Sequence, residues 1–149
     1  MDVECQCGSV AFQTTAKPSA VYFCHCTECQ RQSSSAFGIS ATFPADALPL
    51  DDPAFHDKLR TYTRSTKSGG TLDCFFCKVC GARVFHRRRG PDGVQGPTLN
   101  IKGGLIKGLD VAGARHIWTQ EAVMPIPKDA VSWPQSPPLS PRLGATAGL

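Results

Sequence analysis

With 149 residues, 41% apolar and 19% charged, the chain has the length and composition of one compact domain and is too short for two of ordinary size. A net charge of +4 and a pI near 8.7 permit an anionic partner without implying one, because the 16 lysines and arginines are spread along the chain. No apolar run approaches the roughly 18 residues of a membrane span, and the opening MDVECQCGSV lacks the charged-then-apolar order of a secretory signal. A cytoplasmic protein with no membrane partner is therefore expected, with the nucleus left open.

Taken in chain order, SVAFQTTA, AVYFCHC, AFGISATF, TLDCFFC, ARVFHR, PTLNIKGG and RHIWTQEAVM are short segments rich in Val, Ile, Phe, Thr and Tyr, separated by Gly, Pro, Asp and Ser. Such segments predict strands, here paired antiparallel. Helical periodicity is nearly absent, and the DPAFHDKL stretch, with Pro53 at its start, is the one predicted helix start. From Trp133 onward WPQSPPLSPRLGATAGL loses apolar alternation and fills with Pro, Ser, Gly and Ala. The expectation is an all-β domain over residues 1–134 and a flexible Pro/Ser-rich tail over 135–149.

Eight cysteines stand in three groups: Cys5-Gln6-Cys7-Gly8, Cys24-His25-Cys26-Thr27-Glu28-Cys29, and Cys74-Phe75-Phe76-Cys77-Lys78-Val79-Cys80-Gly81. In a reducing compartment this clustering points to metal ligation rather than disulfides, and burial of cysteines as small hydrophobes would not impose such spacing. Zinc–sulfur bonds of about 2.3 Å place the sulfurs a little under 4 Å apart, which closely spaced cysteines on a turned backbone supply. Cys77-x-x-Cys80-Gly81 has the knuckle form, its glycine letting the chain turn while amide groups face the sulfurs, and Cys5-x-Cys7-Gly8 repeats the pattern. The two pairs together predict a closed, structural four-thiolate zinc site that closes a loop of about 70 residues. Cys24, Cys26, Cys29 and Cys74 remain. Either Cys74 completes a second closed site, or the triplet holds zinc with an open fourth position, as a catalytic zinc does.

Four motifs carry a family resemblance: C-x-C-G-x-V-x-F at Cys5 to Phe12, C-H-C-x-x-C-x-x-x-x-S-x-A-F at Cys24 to Phe37, F-C-x-x-C-G-x-x-V-F at Phe76 to Phe85, and H-I-W at His116 to Trp118. In this order, across about residues 3 to 127, they resemble the glutathione-dependent formaldehyde-activating enzyme and centromere protein V family. The resemblance implies a β-tent of antiparallel sheets, similar to Mss4, with two zinc ions per chain. It implies Cys5, Cys7, Cys77 and Cys80 as ligands of a structural zinc, and Cys24, Cys26 and Cys29 as the catalytic group, where a substrate thiol supplies the fourth ligand. Two departures stand out. Members commonly have Gly where this chain has Ser34, and often carry an aromatic where it reads Glu121-Ala122-Val123-Met124-Pro125.

Three thiolates on Zn²⁺ leave a net charge of −1, so bound water is acidified less than on a zinc held by imidazoles, and a soft thiolate is the better fourth ligand. That favours making or breaking a carbon–sulfur bond over hydrolysis. For the resembled enzyme type the reaction is glutathione adding to formaldehyde to give S-hydroxymethylglutathione, so glutathione is the implied co-substrate. Arg31, just beyond Cys29, is the candidate for steering an anionic thiol such as glutathione. His25 and Glu28 are expected to be loop residues rather than acid–base groups, and His116 and Trp118 to pack the sheet. The basic run His86-Arg87-Arg88-Arg89, with Lys102 and Lys107, is expected to be a solvated hairpin end, because no aromatic series accompanies it; nucleic acid is not an expected partner. Two function classes compete: a zinc-dependent carbon–sulfur lyase acting on a thiol adduct, and a zinc-stabilised binding module for chromatin or a protein partner.

Overall fold

The computed structural model describes residues 1–67 and 69–138. Most of the tail expected to be flexible, 139–149, lies outside the described residues. A two-stranded antiparallel sheet is formed by β1 (Asp2–Glu4) and β2 (Ala11–Gln13). The larger sheet contains β3 (Ala20–Cys24), β4 (Gly38–Pro44), β5 (Leu59–Ser65), β6 (Thr71–Cys77), β7 (Arg83–Arg89), β8 (Gln95–Lys102), β9 (Arg115–Ile117) and β10 (Ser132–Trp133). Its strand order is β10-β9-β3-β4-β8-β7-β6-β5. The fold is mostly β, as the strand-like segments predict.

The register explains how one sheet supplies both a core and a cleft. Phe85 lies opposite Ile101, Ile101 opposite Ala41, and Leu99 opposite Phe43, so one face is a continuous apolar surface. These residues are 1% exposed or less and pack with Val3 of β1 and Val10, just before β2, into one core. The short helix α2 (Pro53–His56), its first turn capped by the Asp52 carboxylate accepting from the Ala54 amide, adds Phe55 to that core. On the opposite face the same alternation lines up Tyr62, Cys74 and His86, and next to them Arg64, Leu72 and Arg88. Asn100 and Thr42 continue the row and share a 2.7 Å hydrogen bond. This second face is the polar one.

Three features depart from the sequence-based expectation. The first is a helix, α1 (Thr27–Ser33), directly after the triplet loop, where none is expected. Only Cys29 is buried in it, so there is no apolar stripe to read; the Cys26 sulfur caps it by accepting from the Cys29 amide. The second is that the sheet is not purely antiparallel: β9 runs parallel to both β3 and β10. Of RHIWTQEAVM only Arg115–Ile117 is strand; Trp118 follows it with a φ of 59° and starts a 3₁₀ turn over Thr119–Glu121. The third is that β1, β5 and β10 form from segments with little apolar content. Strand β5 is a largely exposed edge, while β10 extends structure into the region where alternation is lost at Trp133.

Candidate metal centres and the adjoining cleft

The two knuckles are built alike. The Cys5 amide donates to the Val10 carbonyl and the Gly8 amide to that of Cys5; likewise, the Cys77 amide donates to Ala82 and the Gly81 amide to Cys77. Gly8 and Gly81 have φ of 77° and 74°, the left-handed conformation that the turn needs and that side chains resist. The β1–β2 loop and the β6–β7 turn thereby bring Cys5, Cys7, Cys77 and Cys80 together, their sulfurs within 4.8 Å of one another. Cys7 Sγ is 3.6 Å from that of Cys5 and 3.7 Å from that of Cys77, close to the edge of a tetrahedron around a zinc ion. Backbone amides of Val10, Val79 and Cys80 donate to Cys5 and Cys77 sulfurs at 3.3 to 3.5 Å. Ser9, which sequence reasoning did not single out, places its hydroxyl 3.1 Å from Cys77 Sγ. Burial works against the Cys77 thiolate, but the Ser9 hydroxyl and the two amides outweigh it and draw the thiol down to about 6.

Cys24 at the end of β3, Cys26 in the loop and Cys29 in the first turn of α1 form the second group, again with sulfurs within 4.8 Å and a Cys24–Cys26 separation of 3.5 Å. Hydrogen bonds from Cys24 and Cys26, and then the charges of Lys102 and Arg83, pull Cys29 down to about 3, whereas hydrogen bonds with Cys26 and Cys29, and then burial, push Cys24 up. Both donor sets fit a metal ion such as zinc. Among the described residues no fourth Cys, His, Asp or Glu completes the triplet. Cys74 is not part of it: its sulfur accepts from Arg83 Nη2 at 2.9 Å and contacts the Leu72 carbonyl.

The triplet opens into a cleft of about 700 Å³, with Arg64, Arg83, His86 and Arg88 on the sheet side and Trp118 and Glu121 on the other. Arg83 reaches it through a β-bulge. Phe75 lies opposite Phe85 and Phe76 opposite Arg83, so Val84 is the extra residue; Val84 and Phe85 both enter the core and Arg83 turns to the cleft. The Trp118–Glu121 turn is tied down on both sides. Glu121 Oε2 accepts from the Thr27 amide at 2.9 Å, Gln30 Nε2 donates to the Glu121 carbonyl, and Lys67 pairs with Oε1 at 3.1 Å while standing 4.7 Å from the Trp118 ring centre. The Thr27 amide first, then Lys67, hold the Glu121 carboxyl below its ordinary value. From the far end, the Trp118 amide donates to the Gln135 carbonyl, and Gln135 and Ser136 complete the cleft wall.

A model of the family described as glutathione-dependent formaldehyde-activating enzyme matches residues 1–121. The chain belongs to that family. No curated protein matches it. The matched span contains both cysteine groups and the cleft walls up to Glu121, and the mostly β architecture agrees with the family's Mss4-like fold. Within this family member the other candidates fall as follows. His25 is 1% exposed and turned away from the sulfurs, its Nε2 2.9 Å from His116 Nδ1 and the two rings stacked. Burial, then the His116 charge, lowers its basicity. Arg31 does not line the cleft; its exposed guanidinium pairs with Glu28. The basic run divides between the two faces of β7. Arg87 and Arg89 bind Gln95, Gly96, Gly93 and Asp73, while His86 and Arg88 face the cleft. No helix among the described residues is long and apolar enough to cross a membrane.

Proposed function

We propose that this chain is a zinc-dependent carbon–sulfur lyase that handles the adduct of a glutathione-like thiol with an aldehyde or another activated carbon. Cys5, Cys7, Cys77 and Cys80 would hold a structural zinc, and Cys24, Cys26 and Cys29 a catalytic one. The observation that carries the reading is that three cysteine sulfurs, with no fourth donor among the described residues, stand at the wall of a cleft of about 700 Å³. When bound there, zinc supplies a positive centre at which a substrate thiol enters as thiolate and fourth ligand.

The chain's own residues would do the rest. Cys24, Cys26 and Cys29 direct the thiol sulfur to one end of the cleft. Arg64 and Arg88 line the cleft as well and offer charge-assisted hydrogen bonds to its anionic groups. The Trp118–Glu121 turn, held by Thr27, Gln30 and Lys67, closes the other side and limits water. In the synthetic direction the sulfur adds to the aldehyde carbon, a C–S bond forms, the C=O becomes C–O–H, and the thiol proton ends on that oxygen. The lyase direction reverses each step.

X-ray absorption at the zinc edge tests this. A chain with one four-sulfur and one three-sulfur zinc averages about 3.5 sulfurs per zinc and should rise to about 4 on adding glutathione. Metal analysis should return two zinc ions per chain. If the sulfur count does not change and Cys74→Ser loses the second zinc, the site is closed and the alternative, a zinc-stabilised binding module, replaces the enzyme.

A further inference from the structure

Among the described residues only two lysines or arginines are buried, Arg83 at 7% and Lys102 at 8% exposure, and both stand beside the triplet. Among the described residues neither has a carboxylate partner there. Among the same residues Lys102 Nζ donates only to the Ser40 hydroxyl, at 3.4 Å, and Arg83 Nε has no partner. Burying two cations without anions is costly, so the site must hold compensating negative charge when it is assembled. Gly38 makes the approach possible. A Cβ there would lie 2.9 Å from Lys102 Nζ and 3.6 Å from Cys29 Sγ, so the ammonium and the sulfur occupy the space any larger residue would fill. Arg83 is held on the other side by its hydrogen bond to Cys74 and by the bulge at Val84.

Charge counting then separates possible fourth ligands. Zinc with three thiolates carries one negative charge, which offsets one of the two cations. A neutral fourth ligand leaves one positive charge buried, whereas a thiolate leaves none. We propose that Lys102 and Arg83 are fixed counter-charges that make the three-thiol site select an anionic fourth ligand, a thiolate, over a neutral one. This rests on the proposed entry of a thiol beside the triplet. It makes Lys102 and Arg83 positioning residues, acting on the ligand through the charge of the site rather than by contact with reacting atoms. The four-thiol group has no buried cation among the described residues: its sulfurs receive hydrogen bonds from amides and Ser9, as suits a site that takes no further ligand.

The test uses zinc-loaded full-length protein and two small probes: 2-mercaptoethanol, which binds as a thiolate with no second charge, and imidazole, which binds neutral. Affinities are read by calorimetry and ligand entry by X-ray absorption. Lys102→Met and Arg83→Met should each weaken 2-mercaptoethanol by about tenfold or more while leaving imidazole within about threefold. Lys102→Arg should restore most of the thiol affinity. Lys102→Met should melt no lower than wild type, because it removes a buried cation. An unchanged ratio of thiol to imidazole affinity in both Met variants overturns the proposal, above all if Lys102→Met also melts lower, which would mark Lys102 as a packing residue. If Lys102→Met loses the triplet zinc, the ratio in Arg83→Met decides. If neither probe enters the wild-type shell, the open-site reading fails and this proposal with it.

Discussion

Replacing Cys77 with Ser tests the division of labour between the two cysteine groups. Cys77 is 1% exposed, and its sulfur is 3.7 Å from that of Cys7, a partner 70 residues away in sequence. A link across that separation restricts the unfolded chain by roughly 4 kcal/mol. The sulfur also accepts from the Val79 and Cys80 amides and lies 3.1 Å from the Ser9 hydroxyl, contacts worth about 1 kcal/mol each, of which serine's shorter reach retains some. The loss, about 4 to 7 kcal/mol, is comparable with the whole stability of a typical domain, about 5 to 15 kcal/mol. At about 2–4 °C per kcal/mol for this size, Cys77→Ser should melt at least roughly 10 °C lower or fail to accumulate in soluble form. Cys26→Ala is the contrast. It removes the α1 cap, at about 1 kcal/mol, and with it the triplet zinc and thiol binding, but leaves the knuckles that join the chain's start to its middle. Calorimetric melting with zinc counts on both variants decides. A Cys77→Ser protein that melts cooperatively within about 4 °C of wild type, or a Cys26→Ala protein that collapses like it, would refute the assignment of a structural and a functional site.

Ser34 ends α1 with φ of 50°, a conformation costing a non-glycine residue about 1 kcal/mol or more, so Ser34→Gly should raise the melting temperature by about 2 °C or more in a thermal scan. Asp73 is buried and accepts from Thr63, Arg89 and Gln95. Burial pushes its carboxyl up, but the Thr63 and Arg89 hydrogen bonds outweigh it and hold it below its ordinary value. Its stabilising effect is therefore present above the unfolded pKa near 3.9 and lost as pH falls through the lower folded value. Urea melts between pH 6 and pH 2 should show that loss, and Asp73→Asn should flatten it. Ending the chain after Ser136 should leave the melting temperature nearly unchanged, since the Pro/Ser-rich remainder offers little apolar area, whereas ending it after Val131 removes β10 and the Gln135 acceptor of Trp118 and should lower it by several degrees. Equal melting of the two truncations would contradict the docking of β10.

Much of this protein is legible in the sequence because the chemistry is local. Thiolate ligands of one ion must sit a few ångströms apart, so Cys5-x-Cys7-Gly8 and Cys77-x-x-Cys80-Gly81 announce their turns, and the glycines sit where the chain reverses with positive φ. Period-two apolar alternation likewise announces the strands that face the core. The closeness of three sulfurs at Cys24, Cys26 and Cys29 follows from spacing alone, but their lack of a fourth partner among the described residues does not. Cys74, three residues before Cys77, is excluded only because its strand register points it at Arg83. Simple alternation would put Arg83 on the face of Phe85, in the core; the bulge at Val84 reverses that, and nothing in the composition of ARVFHR marks it. Gly38 lies opposite Cys24 in the pairing of β3 with β4, Lys102 joins it beside the triplet only through the pairing of β4 with β8, and Glu121 reaches the Thr27 amide across 94 residues. These are contacts between distant segments, set by sheet register and packing, which a one-dimensional pattern with a period of two does not encode.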